Sequence, residues 1–219
     1  MSDFAAAHEL LRSCDKGRNP GRAMQIVLNL PKQDPPRRNK VLQAAARACV
    51  AACLECGHLE EFDAWYGESI RKVARRSRNK AWRDVQELPG YTVDNLARAF
   101  VPFAEVDHRI GKLQVGHTDL PVTEPEPLLS DVPTIYLDSS LEMTMGKAAA
   151  QVGHASMLLA ADMTLDEVTA WREQDYALNV REVDADEFAR VSQGAVVVQD
   201  AGFTEIAPGS ITCAARRAA

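Results

Sequence analysis

The stretch TIYLDSSLEMTMGKAAAQVGHASMLLA, residues 134–160, decides the fold. Thr134–Asp138 is a short apolar run closed by Ser139-Ser140, the pattern of a buried strand. Thr144, a residue suited to N-capping, then opens a long segment, Met145–Ala160, rich in Ala, Val, Met and Leu, which predicts a helix. Downstream the alternation continues: a helix near Thr164–Glu173, a strand at Tyr176–Arg181, a short helix at Asp184–Val191, and strands at Ala195–Gln199 and Ser210–Ala215. Strands alternating with helices give an α/β layer fold.

Upstream of residue 134, Pro121, Pro125, Pro127 and Pro133 stand among Glu124, Glu126 and Asp131, a composition that favours extended chain over packing. This sets the expected organisation: an N-terminal α/β domain over 1–120, an acidic Pro-rich linker over 121–133, and a C-terminal domain over 134–219. The first domain opens with an amphipathic segment, Phe4–Cys14. A buried strand follows at Met24–Leu30, then a helix at Arg38–Leu54 that starts after Pro35-Pro36. The two halves share a rhythm. Trp65 and Trp82 are as far apart as Trp171 and Phe188, and a valine follows three residues after each second aromatic, Val85 and Val191. Two similar units in tandem, a diverged duplication, are therefore expected.

The formal net charge is −6, and it is unevenly spread. Residues 1–120 hold 19 Lys+Arg against 15 Asp+Glu, whereas residues 121–219 hold 6 against 16. Met1–Leu11 lacks a basic n-region and is interrupted by Asp3, His8 and Glu9, and no apolar run has the ~20 residues needed to cross a bilayer. A cytoplasmic protein with no membrane partner is expected. Five cysteines are an odd number, and Cys49, Cys53 and Cys56 cluster in an Ala-rich helix rather than bracketing loops. Cys53-x-x-Cys56 with His58 lacks the second ligand pair of a structural zinc site. The thiols read as small apolar side chains, and no metal is expected.

Chemistry concentrates in two places. On the Met145 helix, Gly146 and Lys147 fall in the first turn, where free N–H groups favour anions, and Gln151 and His154 follow on the same stripe. After the run of valines comes Asp200-Ala201-Gly202-Phe203-Thr204-Glu205-Ile206-Ala207-Pro208-Gly209-Ser210, which gathers Asp200, Thr204 and Ser210 in one turn. A base that takes a proton from water, beside donors for an oxyanion, is what ester hydrolysis requires.

These two blocks, Met145–Ala155 and Asp200–Thr212, resemble the signature helix and closing loop of archaeal and eukaryotic-type (type 2) peptidyl-tRNA hydrolases, in family order, over about residues 132–215. The resemblance implies a three-layer α/β/α unit with a small mixed sheet and no cofactor. The implied activity is hydrolysis of the ester between a peptide and the 3′ end of tRNA. It places catalytic positions at Lys147, Gln151, His154, Asp200 and Thr204, and substrate-binding positions at Gly146, Ser210 and Thr212. Either His154 or Asp200 would orient or deprotonate the water. The family is commonly dimeric, so a homodimer or an internal pseudo-dimer of the two halves is expected. In the aligned first half, Lys40 meets Lys147, while Ala44 and Arg47 replace Gln151 and His154.

The chain also departs from the family. Asp138-Ser139-Ser140-Leu141-Glu142 stands where relatives carry basic residues before the signature helix, and Met145 takes a place where a cation is common. An acidic domain needs cations from elsewhere to hold a polyanion. The first half offers seven in thirteen residues, Arg71 to Arg83, of which Arg75, Arg76 and Arg78, with Trp82 as a stacking surface, are the candidate tRNA contacts. Two rival readings are a non-catalytic RNA-binding or regulatory protein that keeps the fold, and a hydrolase of another acyl ester or amide.

Overall fold

The computed structural model describes residues 3–14, 21–116, 119–200 and 206–218. The first unit begins with helix α1 (Asp3–Leu11), strand β1 (Met24–Asn29) and helix α2 (Arg38–Glu55). It continues through α3 (Glu60–Tyr66), β2 (Lys72–Ser77), α4 (Asn79–Val85), β3 (Gly90–Val93), β4 (Ala97–Phe100) and the single turn α5 (His108–Gly111). The second unit repeats the plan with β5 (Thr134–Asp138), α6 (Met145–Asp162), α7 (Leu165–Glu173), β6 (Asn179–Val183), α8 (Ala185–Val191), β7 (Val196–Gln199) and β8 (Ile211–Arg216). The strand expected at Tyr176–Arg181 starts later, at Asn179, because Asp175 and Tyr176 both adopt left-handed backbone (φ 52° and 55°) in a turn that ends α7.

Local chemistry sets the helix starts. Thr144 caps α6 by accepting from the Lys147 N–H, Thr164 and Glu167 form a reciprocal capping box on α7, and Asp184 accepts from Glu187 N–H at the head of α8. Each unit carries a four-stranded mixed sheet of one topology, in the orders β2-β1-β4-β3 and β6-β5-β8-β7. The first pair of each is parallel and the others antiparallel. The chain is thus α/β, with two similar sheet units in tandem. On the outer faces, Trp82 and Val85 of α4 pack with Val27, Phe100, Ile110 and Leu113, while Phe188 of α8 packs with Val183 and Ala214. The aromatic spacing read from the sequence marks these equivalent outer layers.

On the inner faces the two units share one core, built around α2 and α6. These helices lie side by side with their heads at the same end. Ser156 Oγ donates to the Ala46 carbonyl (2.8 Å), and a Cβ on Gly153 would stand 2.5 Å from Cys49 Sγ, so only glycine permits this approach. At the heads, Arg38, the first residue of α2, donates to the Met143 carbonyl (2.9 Å) just before α6 and pairs with Glu182 of β6 (2.9 Å). At the far end, His8 Nε2 lies 2.9 Å from the Ala160 carbonyl, and Arg172 pairs with Glu55. The thiols of Cys49 and Cys53 lie inside this core, where burial pushes them up to about 12 and about 11, as expected of apolar packing groups.

The segment 121–133 has neither helix nor strand, yet it does not run free as its composition suggested. Thr123 accepts from the Asn39 N–H, Glu126 pairs with Arg37 and Lys40, and Asn179 exchanges hydrogen bonds with Leu129. Polar groups on α2 and β6 give it partners that a proline count does not reveal. Among the described residues, no helix is long and apolar enough to cross a membrane.

Candidate active site

In a βα unit the carboxyl ends of the parallel strands meet the head of the following helix, and polar residues there converge. The sequence puts Asp200 directly after β7 and Lys147 and Gln151 on successive turns of α6. The structure brings the three together. Lys147 Nζ and Gln151 Nε2 both donate to Asp200 Oδ2, the latter at 2.5 Å, and the Lys147–Asp200 contact is an ion pair with side chains 14% and 5% exposed. Backbone bonds close the base of the following loop: Asp200 N–H to the Ser210 carbonyl, and Gly209 N–H to the Asp200 carbonyl, both 2.8 Å. Gly209 sits at φ 84°, a conformation that favours glycine. Thr204 lies outside the described residues.

His154 stands apart from this group. Its ring does not join Gln151 and Lys147 at Asp200. Its Nε2 is screened from solvent with no hydrogen-bond partner among the described residues, and the charge it senses is Lys72 of β2. The stripe read from helical spacing is real, but a third turn down α6 carries the imidazole away from Asp200 and toward Lys72 of the first unit. Burial, and then the Lys72 ammonium, hold His154 well below its ordinary 6.5. The sign of the linkage follows. An unfolded chain protonates this imidazole near pH 6.5 while the folded chain resists, so folding loses stability as pH falls below about 6.5. The wild-type Tm should therefore drop between pH 7 and pH 5 by a few degrees more than that of His154→Gln. Equal slopes in a thermal melt series would refute a buried neutral imidazole.

Other expected contacts fall elsewhere. Thr212 is fully buried, its hydroxyl donating to the Val198 carbonyl (3.3 Å), so it supports the β7–β8 pairing. Trp82 offers no stacking surface: it is only 5% exposed, and its Nε1 donates to Asn95 Oδ1 (2.6 Å). The alternation of β2 turns Arg75 to the outer face, where it donates to Gln25, Gly111 and Leu113. Arg76 lies on the opposite, inner face and donates to Gln114, and Arg78 precedes α4. Gly146 packs beside Ala74 of β2, and Ser210 is half-buried at the loop base. Sequence reading missed Arg38, which fixes the carbonyl just before α6; its partner Glu182 is too distant in the chain for local pattern to pair them.

The equivalent place in the first unit holds different chemistry. Asp94 follows β3 as Asp200 follows β7, but it sits in a tight turn with Asn95 (φ 51° and 55°) and pairs with Arg47 (2.7 Å). Lys40 is engaged by Glu126 (2.9 Å), and Ala44 supplies no amide. A cleft of about 400 Å3 beside the head of α2 is lined by Asn39, Lys40, Gln43, Arg181 and residues 123–129.

Comparison with known proteins covers the second unit. The sequence signature of the family described as peptidyl-tRNA hydrolase PTH2 matches residues 133–218. A peptidyl-tRNA hydrolase of Sulfurisphaera tokodaii is 33% identical, the similarity covering 36% of this chain and 78% of that protein. For those of Sulfolobus acidocaldarius and Thermoplasma acidophilum the identities are 32% and 36%, covering 80% and 77% of the relatives.

Proposed function

Because the chain belongs, through residues 133–218, to the peptidyl-tRNA hydrolase PTH2 family, we propose that it hydrolyses the ester joining a peptide to the 3′ end of tRNA, at the head of α6. The observation that carries this reading is the convergence of Lys147 and Gln151 on Asp200. Asp200 orients the attacking water and accepts its proton. Lys147, held in place by that carboxylate, faces the negative charge that develops on the carbonyl oxygen as the tetrahedral intermediate forms. Gln151 fixes the carboxylate so that neither group must reorganise during the reaction. His154 is not assigned the role of base, since its Nε2 is screened and it makes no contact with Asp200. Thr204 keeps the role implied by the family, a hydrogen bond to Asp200 or to substrate. The first unit, with Lys40, Ala44 and Arg47 at the matching positions, has no hydrolytic role.

The test is direct. The purified full-length chain, incubated with peptidyl-tRNA carrying a labelled peptide, should release free peptide and intact tRNA. A folded chain that binds this substrate and leaves the ester intact would support the non-catalytic alternative, and cleavage of simple acyl esters in its place would support a different hydrolase.

A further inference from the structure

The head of α6, which carries Lys147, packs against the first unit. Strand β2 runs along α6: Lys72 Nζ reaches Met157 Sδ (2.8 Å), and Ala74 Cβ lies 3.8 Å from where a Cβ on Gly146 would stand. Successive inner-face residues of β2 thus climb toward the head of α6, where Ala74 meets the first turn and Arg76 follows two residues farther on the same face. Strand register gives an independent check. Ile26 and Leu28 of β1 pair with Ala74 and Arg76, while Ile135 and Leu137 of β5 pair with Val180 and Glu182, and all four β1 and β5 residues belong to the shared core. Glu182 is therefore the counterpart of Arg76. Glu182 does reach across the unit boundary, to Arg38, the first residue of α2. At α6 the first residue is Met145, and the counterpart residue on the strand is an arginine in place of a glutamate.

We propose that Arg76 binds a phosphate of the tRNA acceptor strand at the mouth of the Lys147–Asp200 site, so that the first unit completes the substrate site of the second. This rests on the functional reading above. The charge distribution calls for it: residues 121–219 hold 6 cations against 16 anions, and a polyanion is held mainly through its phosphates. Arg75, on the outer face of the sheet and away from α6, has no such role.

The experiment measures binding of uncharged tRNA to the full-length chain across a salt series, alongside steady-state kinetics with peptidyl-tRNA. Arg76→Ala should weaken tRNA binding by about tenfold and reduce the salt slope by about one phosphate. The same variant should raise KM to a similar degree and leave kcat within about twofold, and cleavage of an N-acetylaminoacyl-adenosine ester, which lacks phosphate, should be unchanged. Gln114→Ala, which removes one hydrogen-bond partner of Arg76, and Arg83→Ala, an exposed cation on α4, should bind tRNA as wild type does. Unchanged affinity in Arg76→Ala, an equal loss in Arg83→Ala, or an equal loss on the phosphate-free ester each overturns the assignment. If the wild type binds tRNA without cleaving either ester, the hydrolase reading fails while the binding data still decide Arg76; if it does not bind tRNA, both fail.

Discussion

Asp200→Asn should lower kcat/KM for peptidyl-tRNA hydrolysis by a factor on the order of 10²–10⁴, the usual worth of a positioned proton acceptor. The loss should fall on kcat. The change keeps the shape of the side chain, so the backbone bonds of Asp200 to Ser210 and Gly209 and the β7–β8 pairing survive, while the acceptor that holds Lys147 and Gln151 loses its charge. Lys147→Met should show a similar loss by removing the cation opposite the oxyanion. His154→Gln, by contrast, should stay within about tenfold of wild type, because the ring takes no part in the cluster. Rates measured with saturating peptidyl-tRNA decide the matter. Near-full turnover in Asp200→Asn, or a collapse in His154→Gln beyond that in Asp200→Asn, would reverse the roles.

The second large effect concerns stability. Arg38 and Glu182 are 5% and 11% exposed, and Arg38 also donates to the Met143 carbonyl ahead of α6. Removing one member of a buried pair strands the other, at a cost of about 3–5 kcal/mol. Arg38→Met should therefore lower Tm by on the order of 10 °C for a chain of this size. Adding Glu182→Met should recover much of that loss, since a well-packed apolar pair avoids desolvating charge. A calorimetric scan of the two variants checks this, and the proposal fails if the single variant melts within about 2 °C of wild type. The single variant should also lose activity, because the Met143 carbonyl that Arg38 holds sets the entry of the chain into α6.

The sequence carried what is local. Helical spacing and the Thr144 cap located α6, and valines ending at Asp200 located β7, but neither motif told that Lys147 and Gln151 would both donate to Asp200. The repeat of aromatic spacing anticipated the equivalence of Trp82 and Phe188 in the outer layers. What failed was long-range. A stripe on a helix wheel says which residues share a face, but not where the neighbouring strand ends, and that is why His154 overshoots Asp200. Trp82 sits among cations in the sequence, and only the sheet behind α4 shows that its ring is covered. The same holds for the arginines: alternation along β2 separates Arg75 from Arg76 by face, once the strand and its neighbours are known.

The side-by-side packing of α2 and α6 has a further consequence, because both helices belong to one polypeptide. Their meeting is a first-order event, with a tether that sets an effective concentration on the order of millimolar, and dilution does not separate them. In a symmetric assembly of identical subunits every substitution is repeated at each equivalent place. Here the two units are written separately, so Ala44, Arg47 and the short Asp94 turn stand in one while Gln151, His154 and Asp200 stand in the other. A single chain thus lifts a constraint of symmetry, since equivalent positions of the two units can hold different side chains.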